Sequence, residues 1–339
     1  MLLSACVKDN PIPIDPDPVD PTSKSVLICN EGSFGTNTAS LSRIDLETDV
    51  ISNNIYEGVN GVNPGDVLQS IEKIGDRYYL VVNNSNLVIV TDSNFNKITD
   101  ISLQSPRYIK AINSNKAYVS SIYTYEMYVI NLNTNTKVAT IPMDSSWTEE
   151  MLVVNSDVYT CNNDTGINYI TKIDGSTNMI TDRITIGGYA PQSIAKDNNG
   201  NIWVLAGDYS GKIGTLTQLN SASGAIIKTL TFDSNELPQK LVIGPDGNTL
   251  YVLMNNFAGA SGIYKINSSA SSIPNNYIVT AAAASYFYGF GVDPNSGQIY
   301  ASDPKGFAQA GTINRYDADG NLEKSWTADI GPNNFYFVD

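Results

Sequence analysis

Aromatic and amide side chains recur between short apolar runs, at positions where they can act together on a ligand. They occur in Asn30-Glu31-Gly32-Ser33-Phe34, Tyr123-Thr124-Tyr125, Asn162-Asn163-Asp164, Asp208-Tyr209, Asn255-Asn256-Phe257 and Lys305-Gly306-Phe307, with Tyr56, Trp147, Tyr189, Tyr286 and Tyr288 in further connecting segments. Aromatic rings cover apolar surface while amides read polar groups, so such a set suits a large neutral or weakly charged ligand. The expected contact residues are Asn30, Glu31, Phe34, Tyr56, Tyr123, Tyr125, Trp147, Asn163, Tyr189, Tyr209, Asn256, Phe257, Tyr286 and Phe307.

Catalytic chemistry is harder to build. The chain of 339 residues contains no histidine, which removes Ser-His-Asp triads, imidazole acid–base chemistry and His-ligated metals. Asp144, Glu149 and Glu150 are close in sequence, and a carboxylate pair can hydrolyse glycosides. In a chain with 34 acidic residues, chance clustering explains them better. Asp317-Ala318-Asp319-Gly320-Asn321 lacks the distal glutamate and spacing of a calcium loop and reads as a hairpin turn. No catalytic residue, metal site or cofactor is expected. A net charge of −14 disfavours nucleic-acid binding and adsorption to anionic membranes.

The elements that must position these loops show in a second pattern. Tyr79, Tyr118, Tyr159, Trp203, Tyr251 and Tyr300 each sit at the same place in an apolar run, at intervals of 39, 41, 44, 48 and 49 residues. Repeats of that length, built from short alternating strands and Asn/Asp/Gly turns, indicate an all-β propeller with one four-stranded blade per repeat. Six blades follow over residues 69–103, 105–143, 147–187, 189–232, 235–280 and 281–330, and their inner strands start similarly at Ser105-Pro106, Pro191-Gln192-Ser193 and Pro238-Gln239. Residues 25–55 hold three strands without an inner one, and Gly331-Pro332-Asn333-Asn334-Phe335 reads as a lone inner strand. The C-terminal strand is therefore expected to complete blade one and close a seven-bladed ring, protecting the sheet edges. The recurring aromatic is expected to pack between blades.

In such a ring, hairpins between strands one and two and between three and four lie on one face. All the aromatic loops fall on the other. Cys29 and Cys161 lie in blades nearly opposite each other, too far apart for a disulfide, and read as buried thiols.

Three segments are expected: 1–6, a remnant of a lipoprotein signal; 7–24, a Pro/Asp-rich tether; and 25–339, the propeller. Leu3-Ser4-Ala5-Cys6 resembles the bacterial lipobox, with Cys6 the lipidated residue, although only Met1-Leu2-Leu3 precedes it. The segment from Asp9 to Pro21 would form a stiff, extended spacer. Cys6-Val7-Lys8-Asp9 resembles the export signal of Bacteroidetes surface lipoproteins.

The repeat style, in Asn131 to Thr140 and Ile44 to Ile51, resembles the YncE-like seven-bladed propellers. Asn30 to Gly35 followed by Ala39-Ser40-Leu41-Ser42 resembles the start of a Bacteroidetes group of surface propellers that includes the vitamin B12-capturing BtuG proteins. That resemblance implies a lipid-anchored protein of the outer-membrane cell surface that binds cobalamin without turnover and passes it to a TonB-dependent transporter. No binding residue is carried over from the family. Without histidine, the chain cannot supply imidazole to cobalt, so a bound cobalamin would keep its own lower base. The alternatives are a glycan-binding propeller and a protein-docking one. Quinone-dependent dehydrogenases share the fold, but no tryptophan docking motif repeats here.

Overall fold

The computed structural model describes residues 23–207, 213–256, 259–283 and 285–338. Strands form seven sheets, each of four antiparallel strands. The last strand, Pro332–Val338, pairs with the first, Ser25–Asn30, so blade one joins the two ends of the chain as the repeat count requires.

Each blade begins beside the central axis and works outward, and the same residue types recur at each layer. Second strands such as Arg77–Val82, Lys116–Ser121 and Ile202–Ala206 are almost wholly buried. Outer strands such as Lys97–Ser102 and Thr136–Pro142 are mostly exposed. The core consists of seven clusters, most of them between neighbouring blades. All six recurring aromatics are buried. Tyr118 also ties two blades through its polar tip, its Oη donating to Asn178 Oδ1 at 2.6 Å, whereas Trp203 Nε1 donates to Asp197 Oδ2 at 2.9 Å within its own blade. Cys29 and Cys161 are buried free thiols.

Blade one departs from the repeat. Its outer strand is only Ile51–Ser52, and a short helix, Ile55–Asn60, packs along the third strand in its place. The helix opens with no side-chain cap and closes on Gly61 at φ 71°. It is held from outside, as Asn60 Nδ2 donates to Phe95 O and Asn60 Oδ1 accepts from Lys97 N in blade two. The Asp317 loop is a hairpin turn, its carboxylate accepting the backbone N–H groups of Asp319 and Asn321 and the Asn321 amide.

Candidate functional site

Inner strands bulge at one recurring level. Pairing slips by one residue at Gln69, Gln192, Gln239 and Asn333, within Arg107-Tyr108, and within Glu149-Glu150. A bulge leaves one residue out of the ladder and redirects its side chain. Six blades thus deliver polar side chains to one end of the axis, the end carrying the strand two-to-three loops and the links between blades. They form a collar of four amides and an ion pair at the mouth of the central channel.

The ion pair is Arg107 with Glu149. Nε and Nη2 of Arg107 donate to the two carboxylate oxygens at 3.1 and 3.2 Å, and Nη1 donates to Gln69 Oε1. Trp147 Nε1 donates to Glu149 Oε1 at 2.7 Å, and the Trp147 ring meets Tyr123 edge-on at 5.5 Å. One connected unit therefore runs from the buried collar to an exposed aromatic.

A second unit repeats this arrangement. Glu31 accepts hydrogen bonds from Tyr288 Oη at 3.0 and 3.1 Å and from Asn333 Nδ2 at 2.6 Å. The Tyr288 ring stands edge-on to Phe307 at 4.8 Å. The loop carrying Glu31 is pinned to the closing strand, because Glu31 N and Gly32 N donate to Gly331 O and Ile330 O. Gly32 has φ +78°, and a Cβ there would lie 2.5 Å from the Thr38 carbonyl carbon, so only glycine fits. Ser33 Oγ holds the loop to Phe307 O at 2.7 Å.

Burial raises the Glu31 carboxyl to about 7, against the opposing effect of Arg107 and of the Tyr288 and Asn333 hydrogen bonds. Burial, with Glu31 beside it, pushes the Tyr288 phenol well up. Arg107 is held more firmly protonated by Glu149, although its burial acts the other way. The mouth is a preorganised, internally satisfied network rather than a row of free charges.

Around it stand the exposed rings expected from the sequence: Phe34 is 77% exposed, Tyr123 65%, Tyr125 63% and Tyr189 41%. Trp147, Asn163, Asn256, Tyr286 and Phe307 are half-buried. Asn163 is placed by its backbone N–H, which donates to Trp147 O at 2.8 Å. Two expected contacts are corrected. Asn30 is fully buried in the first strand, its amide donating to Ser40 Oγ and Ser42 Oγ at 3.1 and 2.8 Å, so it holds the loop rather than facing a ligand. Tyr56 lies on the helix that replaces the outer strand of blade one and is buried in the core with Leu27, Ile71 and Phe95. Tyr209, Phe257 and Cys6 lie outside the described residues.

The acidic trio is dispersed. Asp144 pairs with Arg183 at 2.5 Å, Glu149 with Arg107, and Glu150 with Ser193 Oγ at 2.7 Å. Gln69, Arg107, Gln192, Gln239, Tyr288 and Asn333 were absent from the expected contacts. The signal that could have marked four of them is the proline–polar pair opening an inner strand, in Pro106-Arg107, Pro191-Gln192, Pro238-Gln239 and Pro332-Asn333; Gln69 and Tyr288 carry no such signal. Among the described residues, no three His, Cys, Asp or Glu side chains cluster as a metal site would need. No described helix is long and apolar enough to cross a membrane.

Seven four-stranded blades around a collared axis define a seven-bladed β-propeller. Within that class the chain belongs to the family described as a domain of unknown function, DUF5074, which matches residues 24–338. Solved structures with the same fold differ widely in their described roles. A quinonprotein alcohol dehydrogenase-like protein of Bacteroides thetaiotaomicron superposes with a TM-score of 0.70 at 13% identity, over 94% of this chain and 78% of that one. A provisionally assigned 6-phosphogluconolactonase of Bacteroides fragilis gives 0.69 at 14%, over 95% and 100%. The periplasmic gluconolactonase PpgL of Pseudomonas aeruginosa gives 0.69 at 11%, over 93% and 99%. At these identities the likeness shows the fold alone. No curated protein matches the sequence.

Proposed function

We propose that the protein captures a large, nearly neutral ligand on its loop-rich face without turning it over, with cobalamin as the leading candidate. The observation that carries this reading is the pair of units Arg107–Glu149–Trp147–Tyr123 and Glu31–Tyr288–Phe307, each joining a charge-balanced or proton-holding floor to an aromatic rim. Exposed rings are costly to leave in water and effective on a flat apolar ligand surface, while a floor of amides meets polar groups. Arg107 uses its donors inside the protein, so the site offers little to a strongly anionic ligand. In this reading, Cys6 carries the lipid that holds the propeller at the outer-membrane surface, and a TonB-dependent transporter receives the ligand.

Alanine at Phe34, Tyr123 and Tyr125, singly and together, tests the site. Each side chain is well exposed, so the variants should fold as the parent does. Each loss should weaken cyanocobalamin binding measured by calorimetry by about 1–3 kcal/mol, the range for a ring stacked on a planar ligand. Unchanged affinity in the triple variant would move the site elsewhere. Binding of neutral oligosaccharides in place of cyanocobalamin, with the same sensitivity, would reassign the face to glycan capture.

A further inference from the structure

The axial channel below the collar plays no part in that reading. It encloses about 700 Å³, within the range of roughly 300–1,000 Å³ usual for small-molecule sites. Its walls are the inner strands, largely aliphatic and aromatic, with Ile71, Ile109, Leu152, Val242, Val292 and Phe335 among them. Four charged side chains also line it: Glu72, Lys110, Glu150 and Lys240.

Three of these are satisfied by the protein. Lys110 Nζ donates to both oxygens of Glu72, at 3.0 and 2.9 Å. Glu150 Oε2 accepts from Ser193 Oγ at 2.7 Å and from Ile194 N at 3.4 Å. Lys240 is the exception: among the described residues no hydrogen bond or ion pair reaches its ammonium, which senses Glu150, Cys29 and Lys110 only at longer range. Burial lowers its affinity for the proton. A half-buried ammonium without a protein acceptor is costly in a channel with apolar walls, and the cost is relieved when an anion arrives.

We propose that the channel is a second binding site, separate from the mouth, for a small organic anion with an apolar body, a medium-chain monocarboxylate in type. The carboxylate is met by Lys240, and the hydrocarbon lies along the aliphatic and aromatic wall. An inorganic anion would leave that wall unused. A water molecule shared between Lys240 and Glu150 is the competing arrangement, and it would make Lys240 merely the counter-ion of Glu150.

Octanoate, with octanol as its uncharged match, separates the two. Calorimetry on the full chain should give one octanoate per molecule, and octanol should bind at least about tenfold more weakly, as expected when a charge-assisted contact is lost. Lys240→Met should remove the preference for octanoate with no loss of thermal stability, since a flexible apolar chain replaces an unpaired cation. Glu150→Gln should tighten octanoate binding by withdrawing the competing negative charge. Alanine at the exposed aromatics of the mouth should leave octanoate untouched, so failure of one site is distinguishable from failure of the other. Absence of octanoate binding, equal binding of octanol, or full octanoate affinity in Lys240→Met would overturn the proposal.

Discussion

Arg107 and Glu149 show how single residues set the character of the mouth. The pair is largely buried and bidentate, and Glu149 also accepts from Trp147. Removing one partner leaves an uncompensated charge in a low-dielectric site, whereas removing both leaves no buried charge, only the lost partners of Gln69 Oε1 and Trp147 Nε1. Arg107→Met should therefore lower stability by about 3–5 kcal/mol in urea unfolding, and Arg107→Met with Glu149→Leu should restore most of it. Equal losses in the single and double variants would mean that the pair does not act as a unit. Glu31 makes a prediction in pH. Its carboxyl keeps its proton in the folded state up to about 7, against an ordinary value of 4.5. Between those values the folded state binds more protons than the unfolded one, so this group's contribution to stability falls as pH rises through that window. Glu31→Gln, which retains an acceptor for Tyr288, should flatten the fall between pH 5 and pH 8, measured as the difference from the parent at each pH. An identical pH profile in the variant would show that Glu31 titrates normally.

At the scale of strands and loops, the repeat was legible and its exceptions were not. A period of 39 to 49 residues with one aromatic per repeat located six of the seven blades, because inter-blade packing demands a large side chain at the same place each time. The bulges escaped notice because a single extra residue is invisible in repeats whose length already varies from 39 to 49. The polar collar escaped with them. Arg107, Gln192 and Gln239 look like ordinary outward positions of alternating strands until the slipped register redirects them. Tyr56 was misplaced for a related reason: a two-residue outer strand leaves the edge of blade one open, and the link after it folds back as a helix to cover that edge. The ring of Tyr56 is a wedge between blades one and two, so Tyr56→Ala should cost about 3–5 kcal/mol of stability in urea unfolding and leave ligand affinity unchanged. A loss of affinity without a loss of stability would return Tyr56 to the binding face.

For the whole molecule, closure was predictable from counting strands. Three strands at the start and one at the end can only be completed by each other, and pairing of Ser25–Asn30 with Pro332–Val338 does so. Closure also shapes the mouth, because it brings Glu31 from the first loop to Asn333 in the last strand and Tyr288 in the blade before it. Residues from opposite ends of the chain thus build one half of the mouth, a juxtaposition that sequence spacing alone conceals. The face as a set of exposed aromatics was legible, since Phe34, Tyr123, Tyr125 and Tyr189 are where alternation and turn chemistry put them. The central claim is that this face captures a large neutral ligand, cobalamin first. The most direct test is titration of the full chain with cyanocobalamin by calorimetry, followed by gel filtration monitored in the visible. One-to-one binding with the pink chromophore eluting alongside protein, at an absorbance showing the lower base still on cobalt, is the predicted result. No heat and no co-elution at high ligand concentration would contradict it.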